Sequence, residues 1–169
     1  MHELVIKSGY NSADGTYNYD NIFNSFAPYA SRVDWGVANL EVTLCGNDNG
    51  YNYAGYPNFN CPDAIADALK KAGFDMLLTA NNHCADTTAT GILRTLEQLR
   101  SRNLATVGTQ KDAAEQDFVV IEVNGIRLGI TCYTYATDET NDGRPSLNRN
   151  SFLAKPGLVN YYMDNKLDR

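Results

Sequence analysis

Two short clusters hold most of the side chains in this sequence that could do chemistry together: Asn39-Leu40-Glu41 and Asn81-Asn82-His83. A carboxylate, amide oxygens and an imidazole suit a divalent ion such as Mn, Fe or Zn. An imidazole within reach of a breaking bond can also act as a general acid. Each residue has a plainer reading. Asn81 and Asn82 are good turn formers, His83 could be an ordinary loop histidine, and Glu41 could be a solvated strand end. Their shared position, just after two apolar segments, sets the group apart. His2 and His83 are the chain's two histidines, fewer nitrogen donors than a dinuclear hydrolase site usually uses. A Ser-His-Asp triad lacks its G-x-S-x-G elbow, and there is neither a P-loop nor a G-x-G-x-x-G.

The elements that must carry these clusters follow from pattern. Residues 1–19 mix Gly, Asn, Asp and Tyr and read as irregular. From Asp20 to Ala30 the spacing of Ile22, Phe23, Phe26 and Ala30 predicts one helical face, with Asp20 as N-cap and Pro28 shortening or kinking the helix. Trp35 to Leu40 reads as a buried strand and Thr43 to Asn60 as a long loop. Pro62 fits the first helical position, Asp63 the first turn, Lys70 and Lys71 the last turn, and Gly73 the residue past the end. Phe74 to Leu78 reads as a strand. A helix follows from about Ala89 to Arg102, with Ile92, Leu93, Leu96 and Leu99 inward, and then a short strand from Ala105 to Gly108. Phe118–Val123 and Ile126–Tyr133 form a hairpin about Asn124-Gly125, a dipeptide suited to the two positive-φ positions of a type I′ turn. After Thr134 the pattern decays into polar residues with no closing element.

Strands alternating with helices predict an α/β fold with a mostly parallel sheet plus a β-hairpin. Ligands in such sheets sit beyond the carboxyl ends of the strands, where both clusters fall. Asn39, Glu41, Asn81, Asn82 and His83 are therefore expected at one edge of the sheet.

The chain has 169 residues, 43% hydrophobic and 20% charged, which fits one globular domain rather than a disordered segment. With 14 Lys+Arg against 20 Asp+Glu, the net charge is −6. No basic stripe is available for phosphates, which argues against a nucleic-acid partner. No apolar run reaches the length of a membrane span. No secretory h-region is present either, so an export signal is expected to have been removed or never to have existed. The cysteines Cys45, Cys61, Cys84 and Cys132 form no C-x-x-C pair. Cys132 reads as a small buried hydrophobe. A Cys45–Cys61 disulfide could close the loop between them in an exported protein; the alternative is four free thiols.

Several motifs, in order, resemble those of the CapA/PgsA-type bacterial capsule (poly-γ-glutamate) synthesis family. Tyr19-Asp20-Asn21-Ile22-Phe23 resembles its Y-x-F-D-x-I-F entry, and Val37-Ala38-Asn39-Leu40-Glu41 its ANLE. Ala64 to Phe74 resembles the helix before its central strand. Thr79-Ala80-Asn81-Asn82-His83 with Asp86 resembles its LANNHxxD. Asn124-Gly125-Ile126 and Cys132-Tyr133-Thr134-Tyr135 resemble its NGI and YTYGT stretches. The resemblance covers about residues 1–145.

What the resemblance implies is part of a calcineurin-like metallophosphoesterase sandwich with a metal-dependent hydrolase or transferase site. Glu41, Asn82 and His2 would be metal ligands for Mn, Fe or Zn in the full-length parent. His83 would be the catalytic acid or transition-state stabiliser, with Asn81 beside it and Asn39 and Asp86 in support. The implied partners are an anionic capsule polymer or a phosphorylated small substrate, and a membrane complex for capsule synthesis. The implied location is the bacterial cell surface, membrane-anchored in the parent. A non-catalytic accessory protein that handles the polymer is the alternative. The family's opening Gly-Asp and late histidines have no counterpart, and Asp86 is followed by Thr87-Thr88. Residues 1–169 are therefore expected to be a single truncated domain with an incomplete site. Exposed sheet edges would then favour a dimer.

Overall fold

A computed structural model gives the fold over residues 1–48, 50–135, 138–139, 145–147 and 157–162. The chain opens with α1 (Glu3–Ser8) and a small antiparallel pair, β1 (Tyr10–Asn11) and β2 (Thr16–Tyr17). A 3-10 turn at Asp20–Phe23 precedes α2 (Ala27–Ala30). The centre then follows as β3 (Val37–Asn39), α3 (Ala64–Lys71), β4 (Met76–Leu78), α4 (Thr88–Arg100) and β5 (Ala105–Val107). These three strands form one parallel sheet in the order β3-β4-β5. A hairpin, β6 (Phe118–Val123) and β7 (Ile126–Thr131), comes next. After it, β8 (Thr134–Tyr135), β9 (Asp138–Glu139), β10 (Pro145–Ser146) and β11 (Tyr161–Tyr162) make two short ladders, β8 with β11 and β9 with β10. The architecture is thus α/β, with a parallel sheet and antiparallel hairpins, consistent with part of an α/β sandwich.

The best-marked segment ends as its sequence predicts but starts later: α3 begins at Ala64 with Asp63 as its N-cap, so Pro62 precedes the helix instead of opening it. In α3, Ile65, Ala66, Ala68 and Leu69 are buried, the inward face of an amphipathic helix. The helix stops because Gly73 adopts φ 101°. Its N–H reaches the Lys70 carbonyl at 3.1 Å and the Phe74 N–H reaches that of Leu69 at 3.2 Å. This left-handed cap satisfies carbonyls the helix would otherwise orphan. The same reversal ends α4 at Asn103, φ 57°, and the two helices then feed the buried β4 and the half-buried β5. Met76 and Leu77 in the central strand are fully buried. Leu77 joins Leu44, Ile65, Leu69, Leu99 and Leu104 in the main core. The hairpin turn is as expected, with Asn124 at φ 51° and Gly125 at φ 78°.

Other expectations are corrected. Residues 1–19 are not irregular. Tyr19 is 1% exposed and its hydroxyl donates to the Ile6 carbonyl at 3.1 Å, which ties α1 and the β1–β2 pair to the core. The single helix over Asp20–Ala30 is instead two short pieces. Asp20 is not an N-cap, because its carboxylate pairs with Lys71. Ile22 and Phe26 are 44% and 48% exposed rather than inward. β3 is shorter than Trp35–Leu40, and it is not buried, because it lies at the edge of the sheet with Val37 and Asn39 exposed. Leu93 faces solvent at 41%. Cys132 is half-buried rather than buried.

Cys45 and Cys61 are separate buried thiols, not a disulfide. The Cys45 thiol meets Thr87, whereas the Cys61 thiol, pushed up to about 11 by burial, accepts from the Met1 nitrogen. The chain beyond Thr134 also contributes to the interior. Leu147, Leu158 and Val159 are buried in a second core with Ala80, Ile92 and Leu96, and Gln110 is hydrogen-bonded to Asn160 at 2.8 Å.

Candidate functional site

Asn39 pairs with Leu78 across the β3–β4 ladder, so the segments leaving these two strands emerge side by side. Asn81 spans the gap. Its amide donates to Asn39 Oδ1 at 3.2 Å and to the Leu40 carbonyl at 2.9 Å. Its own oxygen accepts the His83 N–H at 3.0 Å. Asn81 is thus a clamp that joins the end of β3 to the loop carrying His83. Both of its amide protons and its oxygen are engaged within the fold.

His83 lies under the surface at 8% exposure. Its Nδ1 is 2.8 Å from Asp86 Oδ2, and its ring packs 4.5 Å from that of Phe59. The same Asp86 oxygen accepts the Phe59 N–H at 2.6 Å, so one carboxylate oxygen serves two donors. The other, Oδ1, is buried with no hydrogen-bond partner. Burial pushes the Asp86 carboxyl above the ordinary carboxylate range, and the Phe59 N–H and His83 only partly offset it. Just beyond, Thr87 donates to the Thr43 hydroxyl at 2.8 Å, a second tie between the His83 loop and the long loop after β3.

The remaining expected residues spread around this pair. His2 is the exposed N-cap residue just before α1, and its ring meets the Phe59 ring edge-on at 5.5 Å. Phe59 therefore contacts both histidines. Glu41 is exposed just past β3. The Met1 nitrogen feels the charge of both Glu41 and Asp86. Asn82 is half-buried in the loop between Asn81 and His83. Among the described residues no three of His, Cys, Asp and Glu come together as a set that could hold a metal ion. A cavity of about 150 Å³ lined by Asp20, Phe23, Ala27, Ala68 and Lys71 lies elsewhere and includes none of these side chains.

Asp86 is less exposed and more engaged than its place in a polar loop implies, and Phe59 was not expected at the site at all. The one local hint of Phe59 is an apolar ring in a stretch otherwise rich in Gly, Asn and Tyr.

The raised Asp86 value has a consequence for stability. A carboxyl with a higher pKa in the folded than in the unfolded chain contributes fully below the ordinary carboxylate range. That contribution is lost as pH rises through the raised folded value. Asp86→Asn removes the titration. Its thermal midpoint is therefore expected to gain on that of the unaltered protein as pH rises from about 4 to about 7. Parallel melting curves at both ends of that range check it; a constant difference would contradict it.

A family model described as "Bacterial capsule synthesis protein PGA_cap" matches residues 1–164. The protein described as "Capsule biosynthesis protein CapA" from Bacillus anthracis is 28% identical over 123 residues, covering 71% of this chain and 30% of that relative. The chain thus matches less than a third of the length of this curated relative.

Proposed function

The chain belongs to the bacterial capsule synthesis family PGA_cap, and from that premise we propose that it acts on a capsule polymer of the poly-γ-glutamate class. The reaction would be hydrolysis or transfer, with His83 as the proton donor and Asp86 behind it. The observation that carries this reading is the 2.8 Å contact between His83 Nδ1 and Asp86 Oδ2, next to the joined ends of two parallel strands. It commits Nδ1 to the carboxylate, so proton exchange with a substrate falls to Nε2. As water, or an acceptor amine in transfer, bonds to the substrate carbonyl carbon and the bond to the leaving nitrogen breaks, Nε2 would give its proton to that nitrogen, and Asp86 would stabilise the imidazolium that precedes that transfer. Asn81 keeps the His83 backbone in register with β3.

Glu41, Asn82 and His2 would be this chain's donors to a Mn, Fe or Zn centre. They fall short of the roughly four ligands a stable site uses, and the His2 ring is packed against Phe59. The chemistry assigned here is accordingly that of His83 and Asp86. Manganese or zinc titrated into this chain is expected to bind more weakly than about micromolar. Submicromolar binding by calorimetry would show that these donors do assemble a site.

The shortage of converging donors favours a second reading, a non-catalytic accessory that holds the anionic polymer. Incubating the full-length protein with poly-γ-glutamate and following chain length by gel filtration separates the two. Shortening that His83→Ala removes supports catalysis; binding without shortening supports the accessory role. A phosphorylated small substrate, assayed with p-nitrophenyl phosphate, is the corresponding test of phosphoesterase chemistry. We place the protein at the bacterial cell surface, with the membrane complex that makes the capsule. No helix among the described residues is long and apolar enough to cross a membrane.

A further inference from the structure

The long loop after β3 presents an aromatic side chain beside the candidate site. Tyr56 is 75% exposed, and its ring centroid is 6.4 Å from that of Phe59, which packs against His83. An exposed tyrosine alone is unremarkable; the frame that holds this one is not. Ala54 and Asn60 exchange both backbone hydrogen bonds, at 2.9 and 3.0 Å, closing a tight turn with Tyr56 near its tip. The Asn60 side chain is buried at the base of that turn. It accepts from the Cys45 N–H and donates to the Gly46 and Asn52 carbonyls. Gly55 is pressed against the start of α1, where an added Cβ would lie 2.5 Å from the Glu3 nitrogen. The Phe59 N–H, at the other side of the turn, is held by Asp86. The turn is therefore anchored at its base, its flank and its catalytic side, while the largest side chain on it points to solvent.

We propose that Tyr56, backed by Phe59, forms a substrate subsite next to His83 that packs against the chain leading away from the reacting group. This rests on the polymer reading above and deepens it: the site takes an extended chain rather than a compact ester. A ring with few rotatable bonds, carried on an anchored backbone, contributes contact area with little ordering cost on binding. The aliphatic stems and amide planes of a γ-glutamyl chain are suitable partners for its face, and the phenol can hydrogen-bond a backbone carbonyl. A substrate too short to reach past His83 would gain nothing from it.

The test is calorimetric binding of a long γ-glutamyl oligomer and of a γ-glutamyl dipeptide to the full-length protein. Tyr56→Ala is expected to weaken oligomer binding about tenfold and to leave the dipeptide unaffected. Tyr56→Phe should stay within about twofold of the unaltered protein, since the ring is retained. Both variants should melt like the parent, because the side chain is exposed. Undiminished oligomer binding by Tyr56→Ala overturns the subsite and leaves the polymer reading intact. Equal losses for oligomer and dipeptide also overturn it, since the contact would then not lie along the extended chain. If the unaltered protein binds neither ligand, the polymer reading fails, and the subsite with it.

Discussion

Under the proposed function, His83→Ala is expected to lower turnover of a γ-glutamyl polymer by about 10²–10⁴-fold, the usual cost of removing a positioned general acid. The variant should also lose stability. A histidine in an open loop would be replaceable at little cost, within about 0.5 kcal/mol, and its polar neighbours in the sequence imply such a loop. The fold puts it elsewhere: His83 is 8% exposed and its ring lies against Phe59. Removing it leaves Asp86, whose Oδ1 already has no partner, with the Phe59 N–H on its other oxygen. Losing a partner of a buried polar group costs about 1–3 kcal/mol. The stability loss is thus shared by the catalytic and the purely structural interpretations of His83, and turnover per folded molecule decides between them. Near-normal turnover, with the thermal midpoint lowered, would make His83 a structural partner of Asp86 and nothing more.

The parts of this fold and its candidate site that the sequence makes legible are those encoded by local chemistry. Gly73 after Lys70-Lys71, and Asn124-Gly125 between apolar strands, mark conformations few other residues adopt, and both occur as marked. The apolar run ending in Thr79-Ala80-Asn81-Asn82-His83 places its polar residues past a buried strand, and β4 is buried there. What escapes the sequence depends on partners far along the chain. Phe59 reaches Asp86 across 27 positions, and no periodicity in a Gly- and Asn-rich loop announces that contact. β1 and β2 are two residues each, too short for an alternation to register, and they are held by the burial of Tyr19 rather than by propensity. The edge position of β3 is likewise a property of the sheet order, so an apolar reading of Trp35–Leu40 overstates its burial.

The same long-range geometry makes Asp86→Asn the sharper probe of mechanism. Asp86 Oδ2 accepts from both the Phe59 N–H, at 2.6 Å, and His83 Nδ1, at 2.8 Å. An amide oxygen in that place can accept from both, so the loop and the imidazole keep their orientation and Nδ1 keeps its proton. What the variant lacks is the negative charge. A hydrogen bond to a charged group contributes about 1.5–3 kcal/mol against about 1 for a neutral one. The expected loss of turnover is therefore about 2–30-fold. That is less than for His83→Ala, and its stability relative to the unaltered protein should rise from about pH 4 to about pH 7, because a carboxylate that burial disfavours is gone. Asp86→Ala is the contrasting variant. It strands the Phe59 N–H as well as the His83 ring, and it should lose both stability and turnover. If Asp86→Asn instead keeps full turnover, Asp86 merely fastens the Phe59 loop to the turn after β4, and proton transfer at this site does not involve it.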